Sequence, residues 1–405
     1  MPRVLQVSCS CNSGAIGRIA EQINACALSR GWEVYYAYGR VANLPVQSQL
    51  IRVGCMADEY WHYFENRLFD KEGLSSINAT IDFVNKIKDV TPDIIHLHNI
   101  HDHWLNYGIL FEYLNQLDTP IVWTMHDCWA FTGGCGHYSV LKCNQWMTCC
   151  EKCVSKKNRL QRLFEKTQFN FRRKKELFSL TPKLILVPVS KWLEGEIRQS
   201  FLKDKQIQTI YNGVDTSVFK PVKKSSVREK YQIGDDPFVV GVATAWSERK
   251  GLSDYKALSL QLSDRIKIVL VGLPERLNKD MMQYGIIGIP RTENMQELAA
   301  LYSEAEIVMN LSYEETFGMT TVEGFACGTP SIVYNNTASP ELVTEKTGII
   351  VQPGNIAEVK NAINNILETG KPYYSGACRE RAVRFFNKED RFNEYINLYE
   401  RVVRH

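Results

Sequence analysis

Two acids carry the most suggestive chemistry in this chain. Glu315 and Glu323 stand eight positions apart within NLSYEETFGMTTVEGFACGTP, residues 310–330. Between them, Thr316-Phe317-Gly318 reads as a turn opening a helix that runs to about Ala326 and stops at Gly328 and Pro330. The preceding run, EIVMNLS, reads as a buried strand. A strand, a glycine turn and a helix N-terminus make an anion site, because the first-turn N–H groups have no partners within the helix. With the helix starting near Phe317, Glu323 lies roughly 8–9 Å along it at about 1.5 Å per residue. That matches the reach from the diphosphate of a nucleotide to its ribose. Glu323 is then placed to accept both ribose hydroxyls, and Glu315 to reach a sugar beyond the diphosphate. Spacing alone equally allows a surface helix with two solvated acids.

Other groups sit where strands end. Arg249-Lys250 follow the strand-like PFVVGVATAW (237–246), and cations there can neutralise a leaving diphosphate. PIVWTMHDCW (120–129) reads as a buried strand ending at His126-Asp127. A neutral imidazole at that point donates one hydrogen bond and accepts another, with Asp127 placed to orient it. A satisfied core histidine is the alternative. DIIHLHNIHDHW (93–104) carries four histidines. Alternation puts His96 and His98 on one face, His96 reading as structural, while His98, Asn99 and His101 fall at the strand's carboxyl end, where open α/β sheets bind ligands. RVLQVSC (3–9), then Ser13-Gly14-Ala15-Ile16-Gly17 and a helical stretch to about Arg30, form a βα unit in which Gly14 lets backbone approach a ligand.

The elements that must position these groups alternate strand and helix throughout, which predicts an α/β fold. At 405 residues the chain has room for two domains, and 44% apolar with 23% charged residues is a soluble globular composition. A net charge of +3 gives no reason to expect nucleic acid. No apolar run approaches the roughly 18 residues of a membrane span, and the N-terminus has no signal-peptide pattern. With 12 cysteines, this predicts a reducing cytoplasm in which thiols or metal ligands outnumber disulfides.

The pattern Glu315-x7-Glu323, with Phe-Gly after the first acid and E-G-x-A-x-G-x-P over the second, resembles the donor site of retaining family-4 glycosyltransferases of the GT-B fold, of the bacterial capsule or exopolysaccharide type. QTIYNGVD (208–215) is similar to the family's interdomain P-N-G-V-D, with Tyr211 in place of proline, and the resemblance covers most of the chain. It implies two Rossmann-like, doubly wound domains facing a central cleft. The expected boundaries are 1–205 for the acceptor domain and 206–387 for the nucleotide-sugar domain, with the helix at 388–405 packing back on the first. The donor would be a UDP- or GDP-sugar, and the acceptor a glycan or lipid-linked saccharide. The resemblance sets His126 near the transferred sugar and its phosphate, and the Gly14 loop beside the diphosphate. It places Ile289 to Arg291 against the nucleobase, through backbone groups. Arg249, Lys250 and the helix start at Phe317–Gly318 would meet the diphosphate; from their place at the strand end, His98, Asn99 and His101 are expected to make acceptor-side polar contacts. The chain departs from the family at Thr244, where an Arg is usual about six positions before Lys250. No D-x-D pair stands near the donor residues, so no catalytic metal is expected. Two alternatives stay open: a GT-B sugar-nucleotide epimerase, and a non-catalytic nucleotide-sugar-binding subunit. An NAD oxidoreductase is disfavoured, because Gly-x-Gly-x-x-Gly does not follow the first strand.

Two further stretches stand apart from that pattern. In CGHYSVLKCNQWMTCCEKC (135–153), Cys150 and Cys153 have zinc-knuckle spacing, and with Cys135 and Cys143 they predict a closed, structural tetrathiolate zinc site. Buried thiols and a pair of disulfides are the alternatives. KKNRLQRLFEKTQFNFRRKK (156–175) has nine basic residues against one Glu, and Leu160, Leu163, Phe164 and Phe171 recur near helical spacing. It predicts a basic amphipathic helix, either solvated as a charged surface helix or attached peripherally to the anionic inner face of the cytoplasmic membrane.

Overall fold

The computed structural model describes residues 1–155, 164–223 and 225–404. The chain divides into two compact units: Met1–Tyr211 with Arg391–His405, and Asn212–Asp390.

The first unit is built on seven strands: β1 (Arg3–Cys11), β2 (Glu33–Ala42), β3 (Gln49–Arg52), β4 (Ile94–Leu97), β5 (Ile121–Met125), β6 (Leu184–Pro188) and β7 (Gln206–Ile207). They pair in the order β3-β2-β1-β4-β5-β6-β7, every pair parallel. β4, β5 and β6 are buried along their whole length, as strands covered on both faces must be. The helix Gly14–Ser29 lays Ile19, Ile23 and Ala27 into a core with Val4, Ile94, Val122 and Ile185. The helix Lys388–Val403 adds Phe392, Tyr395, Ile396 and Tyr399 to the same core. Burying each such side chain stabilises by about 1.5–3 kcal/mol, enough to keep the C-terminal helix docked on this sheet.

The second unit has six strands: β8 (Phe238–Val242), β9 (Lys267–Val271), β10 (Ile287–Ile289), β11 (Ile307–Asn310), β12 (Ser331–Tyr334) and β13 (Gly348–Val351). Their order is β10-β9-β8-β11-β12-β13, again all parallel. Val214 and Phe386–Lys388 pair here through backbone bonds of 2.7 and 3.0 Å. The glycine of the Asn-Gly-Val-Asp run is needed for it, since a Cβ on Gly213 would stand 2.4 Å from the Lys388 Cα.

In both sheets the strand order reverses once near the middle, between β1 and β4 and between β8 and β11. Ligands of open parallel sheets sit outside the carboxyl ends of the strands at such a reversal. Gly14, His98 and His101 follow β1 and β4; Arg249, Lys250 and Glu315 follow β8 and β11.

Two local expectations change. The helix after β11 is Met319–Ala326, starting two residues later than Phe317, because Gly318 takes a φ of +107° that a helix cannot contain. The basic stretch forms a helix over Thr167–Leu180, and its residues 156–163, Leu160 and Leu163 among them, lie outside the described residues. Phe171 is buried with its ring 5.3 Å from that of Phe201, so this part of the apolar stripe belongs to the core of the unit. No helix among the described residues is long and apolar enough to cross a membrane.

Candidate active site

In the second unit, β8 leads into a single 3-10 turn, Glu248–Lys250. The next residue, Gly251, has a φ of +75°, and a Cβ there would lie 2.2 Å from the Leu311 carbonyl oxygen. Only glycine allows that approach, which presses the cationic turn against the end of β11. Lys250 Nζ sits 2.6 Å from Glu315 Oε1. Arg249 donates to the Glu314 carbonyl at 3.4 Å, and the Arg249 carbonyl accepts from Tyr313 N–H at 2.9 Å. The Glu315 N–H donates to Thr337 Oγ1 at 2.9 Å, fixing the loop between strand and helix. Partly exposed pairs such as Lys250–Glu315 contribute about 0.2–1 kcal/mol, so an incoming phosphate can draw Lys250 away at small cost.

Glu323 lies four residues beyond Met319, about 6 Å along the axis from the first helical residue. Its Oε2 accepts from the buried Tyr302 hydroxyl at 2.9 Å, which fixes the carboxylate from behind. The Phe317 side chain is buried and packs edge-on to Phe386, so Phe317 and Gly318 have backbone alone to offer a ligand. Ile289 is buried, and its carbonyl already accepts from the N–H groups of Gly272 and Leu273 at 2.8 and 3.2 Å. Arg291 and Thr244 are exposed. The unit therefore brings Arg249, Lys250 and Glu315 directly together, and leaves Ile289 and Arg291 at the end of β10, three strands from β11 in the sheet.

The first unit gathers different chemistry. His126 follows β5 and stacks on His98, His126 Nε2 lying 3.0 Å from His98 Nδ1. His96 and His98 share one face as alternation requires, their ring centroids 4.2 Å apart. Asp127 follows His126 directly, and its charge acts to raise the His126 pKa against the larger effect of burial. Asp127 pairs with His101 Nε2 at 2.9 Å and accepts from Trp129 N–H at 2.8 Å. Burial pushes His126 down to about 4, and holds His96 and His98 well below the usual imidazole range. Burial also pulls His101 down, but the charges of Asp127 and Asp102 outweigh it, and its pKa is raised. Burial raises Asp127, yet the paired His101 takes it down to about 2. A neutral imidazole thus stands beside an imidazolium–carboxylate pair. Gly14, with a φ of +66° and open space where a Cβ would be, begins the helix after β1. Beside the Asp127 loop lies a cavity of about 220 Å³, lined in part by Tyr63, Asn66, Arg67, Asp70, Glu72 and His103. Glu72 accepts from the Trp129 indole at 2.8 Å, joining the cavity wall to that loop.

Comparison with known proteins decides what kind of chain this is. The family model described as Glycosyltransferase Family 4 matches residues 16–218, and that described as Glycosyl transferases group 1 matches residues 223–382. This chain belongs to glycosyltransferase family 4. Among curated relatives of this family-4 chain is the N-acetyl-alpha-D-glucosaminyl L-malate synthase of Bacillus anthracis, 23% identical over 56% of this chain and 62% of that protein. Another is the putative colanic acid biosynthesis glycosyl transferase WcaC of Escherichia coli, 25% identical over 38% of this chain and 40% of the relative. The chain spans about half the length of the curated relatives it matches. Its fold is that of the Anabaena protein Alr3699/HepE solved in complex with UDP, with a TM-score of 0.67 at 15% identity, covering 99% of this chain and 100% of the other. The two parallel-sheet, Rossmann-like units are those of GT-B structures.

The expected zinc site of the family-4 chain is not shown. Among the described residues, no three His, Cys, Asp or Glu side chains are grouped so as to hold a metal ion. Cys150 Sγ turns inward to accept from Gly133 N–H at 3.2 Å, and burial pushes its thiol up to about 11. Cys153 instead lies against Ser155 Oγ at 2.9 Å, with Cys135 Sγ 3.8 Å from the same hydroxyl. All 12 cysteines are free thiols.

Composition also concealed Lys174. It counts as one of nine basic residues in a charged stretch, yet it is fully buried. Its Nζ donates to the carbonyls of Trp129 and Thr132 at 3.0 and 3.3 Å and lies 3.5 Å from the centroid of the Trp129 ring. It pins the loop that follows His126-Asp127. Only its helical register, three residues from Phe171 and Leu177, hinted that it faces inward.

Proposed function

We propose that this chain is a retaining glycosyltransferase that moves a sugar from a nucleotide-diphosphate sugar, UDP- or GDP-linked, to a glycan or lipid-linked saccharide in surface polysaccharide synthesis. The observation that carries the reading is the Arg249–Lys250–Glu315 cluster at the strand-order reversal of the second unit, with Glu323 on the helix that begins beside it. Arg249, Lys250 and the helix N-terminus at Gly318 stabilise the departing diphosphate as its charge develops. Glu323 takes the ribose hydroxyls, Glu315 the transferred sugar. The diphosphate oxygen receives the acceptor proton on the face it leaves, through an oxocarbenium-like transition state. No divalent metal takes part in this scheme. The acceptor belongs to the first unit, where the polar cavity beside the Asp127 loop has room for a sugar ring and His126 supplies a neutral hydrogen-bonding group. The cytoplasmic chain would meet a lipid-linked acceptor at an anionic membrane through Lys166, Arg172 and Lys175, all exposed. The WcaC relative supports the polysaccharide assignment, and the UDP complex of Alr3699/HepE supports a nucleotide donor.

A panel of UDP- and GDP-sugars, scored by thermal stabilisation and then by NMR of the product anomer, tests this reading. One donor should raise the melting temperature. Glu323→Ala should weaken that donor tenfold or more, and Glu315→Ala should mainly lower turnover, each losing a charge-assisted bond of about 1.5–3 kcal/mol. A product of inverted configuration, or wild-type kinetics in both variants, would remove the assignment. Release of free epimerised sugar nucleotide would favour the epimerase, and binding without turnover the non-catalytic subunit.

A further inference from the structure

The interior of a parallel sheet is normally apolar, yet the first unit buries a row of polar side chains beneath its C-terminal helix. Gln6, His96, His98, Thr124, Tyr395 and Tyr399 are each at most 1% exposed. Gln6, His96 and Val122 are level with one another across β1, β4 and β5, which stacks the row from strand to strand.

The donors and acceptors of this row run in one direction. Gln6 presents Oε1 to His98 Nε2 at 2.6 Å and its amide Nε2 to the Tyr399 hydroxyl at 3.3 Å. An amide oxygen only accepts, so His98 carries its proton on Nε2. His98 is fully buried and neutral, which leaves its Nδ1 as an acceptor. The group it meets is His126 Nε2 at 3.0 Å, so that nitrogen must donate. On the other side of Gln6, Tyr399 accepts from the amide and donates to His96 Nδ1. His96 Nε2–H then donates to Thr124 Oγ1 at 2.7 Å, and Thr124 donates to the Tyr395 hydroxyl at 3.2 Å. Each donor from His126 to Tyr395 meets one acceptor. The Gln6 amide sets the sense of the row, its nitrogen turned to the Tyr399 hydroxyl and its oxygen to His98.

We propose that Gln6, His98 and Tyr399 are positioning residues that hold His126 as its Nε2-protonated tautomer, with the lone pair on Nδ1. This rests on reading His126 as a residue of the acceptor-side site. Any ligand atom that meets Nδ1 must then be a donor, such as a sugar hydroxyl, and a phosphate oxygen is refused there. The docked C-terminal helix thereby acts on the strand-end site through a hydroxyl that need not approach substrate.

Long-range ¹H–¹⁵N NMR of histidine-labelled full-length protein reads the tautomer directly. Wild type should show a protonated Nε2 and a bare Nδ1 for His126. Tyr399→Phe keeps the ring in the core but lets the Gln6 amide turn over, and should give both tautomers, with kcat down about tenfold, the donor KM little changed and the alkaline side of the pH profile altered. Gln6→Met should behave alike, and Gln6→Glu, which restores an acceptor for His98, should return His126 to the wild-type pattern. A wild-type His126 protonated on Nδ1 overturns the proposal, as do folded Tyr399→Phe and Gln6→Met proteins with unchanged His126 resonances. Full activity in His126→Ala would instead remove His126 from the site and leave the tautomer result standing.

Discussion

The two units use one scaffold slot, the carboxyl ends of parallel strands where their order reverses, and fill it with opposite chemistry. All eight histidines lie in the first unit and none in the second. Ten of the 12 cysteines are in the first as well. The second unit places Arg249, Lys250, Glu315 and Glu323 near solvent, balanced by ion pairs and hydrogen bonds that a charged ligand can exchange. The first buries neutral rings whose donors and acceptors are already matched to one another. An anion is best met by mobile cations and helix N–H groups, since a partly exposed charge keeps its hydration until the ligand arrives. A neutral hydroxyl is best met by a ring whose protonation does not fluctuate. The topology offers the place; burial decides which chemistry can occupy it.

Acid should separate the units most strongly. His62, His96, His98, His103 and His126 all sit below the usual imidazole range, burial being the largest cause for each, with His62 pushed down to about 3 and His126 to about 4. Unfolding returns them to about 6.5. Their contribution is therefore complete above about pH 6.5 and is lost as pH falls from there toward 4, because the unfolded chain binds protons that the folded one refuses. At pH 5 each ring that stays neutral costs about 2 kcal/mol relative to pH 7. His101, raised by Asp127 and Asp102, works the other way but is one group against five. Calorimetry at pH 7 and pH 5 should show the transition of the first unit falling steeply while that of the histidine-free unit moves little. Equal shifts in both would break the comparison.

Lys174→Met should have the next largest effect. Among the described residues its ammonium has no carboxylate within bonding distance, and burial lowers its pKa to about 8, so holding the charge there is already expensive. Methionine relieves that cost but strands the Trp129 and Thr132 carbonyls, each worth about 1–3 kcal/mol when left unpaired. The second effect exceeds the first, giving a net loss of about 1–3 kcal/mol in the first unit. Hydrogen exchange should rise across the loop at 127–135, and donor stabilisation of the second unit should stay intact. A variant as stable as wild type would mean that the loop is held by its aromatic packing alone.

How much of this was legible follows from the distance over which each feature is encoded. β4, β5, β8 and β11 are short apolar runs, and the groups just after them were found because a strand end is a local signal. The Glu315–Glu323 spacing is equally local, since four residues fix a position along a helix. What pattern could not supply was the partner. Asp127 adjoins His126 in sequence, yet His98 contacts it from the neighbouring strand. Gln6 and Tyr399 meet across 393 positions, and periodicity says which way a side chain faces, never what it meets. Lys174 was hidden by composition, because long-chain cations are almost always exposed. Cysteine spacing meets a related limit, since spacing in a loop does not determine which way each thiol turns.

The smallest effect sharpens the comparison most, because each unit braces a candidate site residue with a buried tyrosine. Tyr302 donates to Glu323 at 2.9 Å, and its ring packs 6.1 Å from that of Phe219. Tyr302→Phe keeps the ring, and its backbone carbonyl still accepts from Thr329. The lost bond releases one carboxylate oxygen in a helix that is otherwise unchanged, so the fold should lose little. Donor affinity should fall by about fivefold, the equivalent of about 1 kcal/mol, because the carboxylate must now be ordered on binding. Its turnover with saturating donor should be close to wild type. Tyr399→Phe should do the reverse, lowering kcat and sparing affinity, because it alters which nitrogen carries a proton. Isothermal titration with the donor, set beside steady-state kinetics for both variants, distinguishes the two. If both lower affinity alike, the tyrosines are general packing elements, and the contrast between a charge-built and a proton-ordered unit fails at this level.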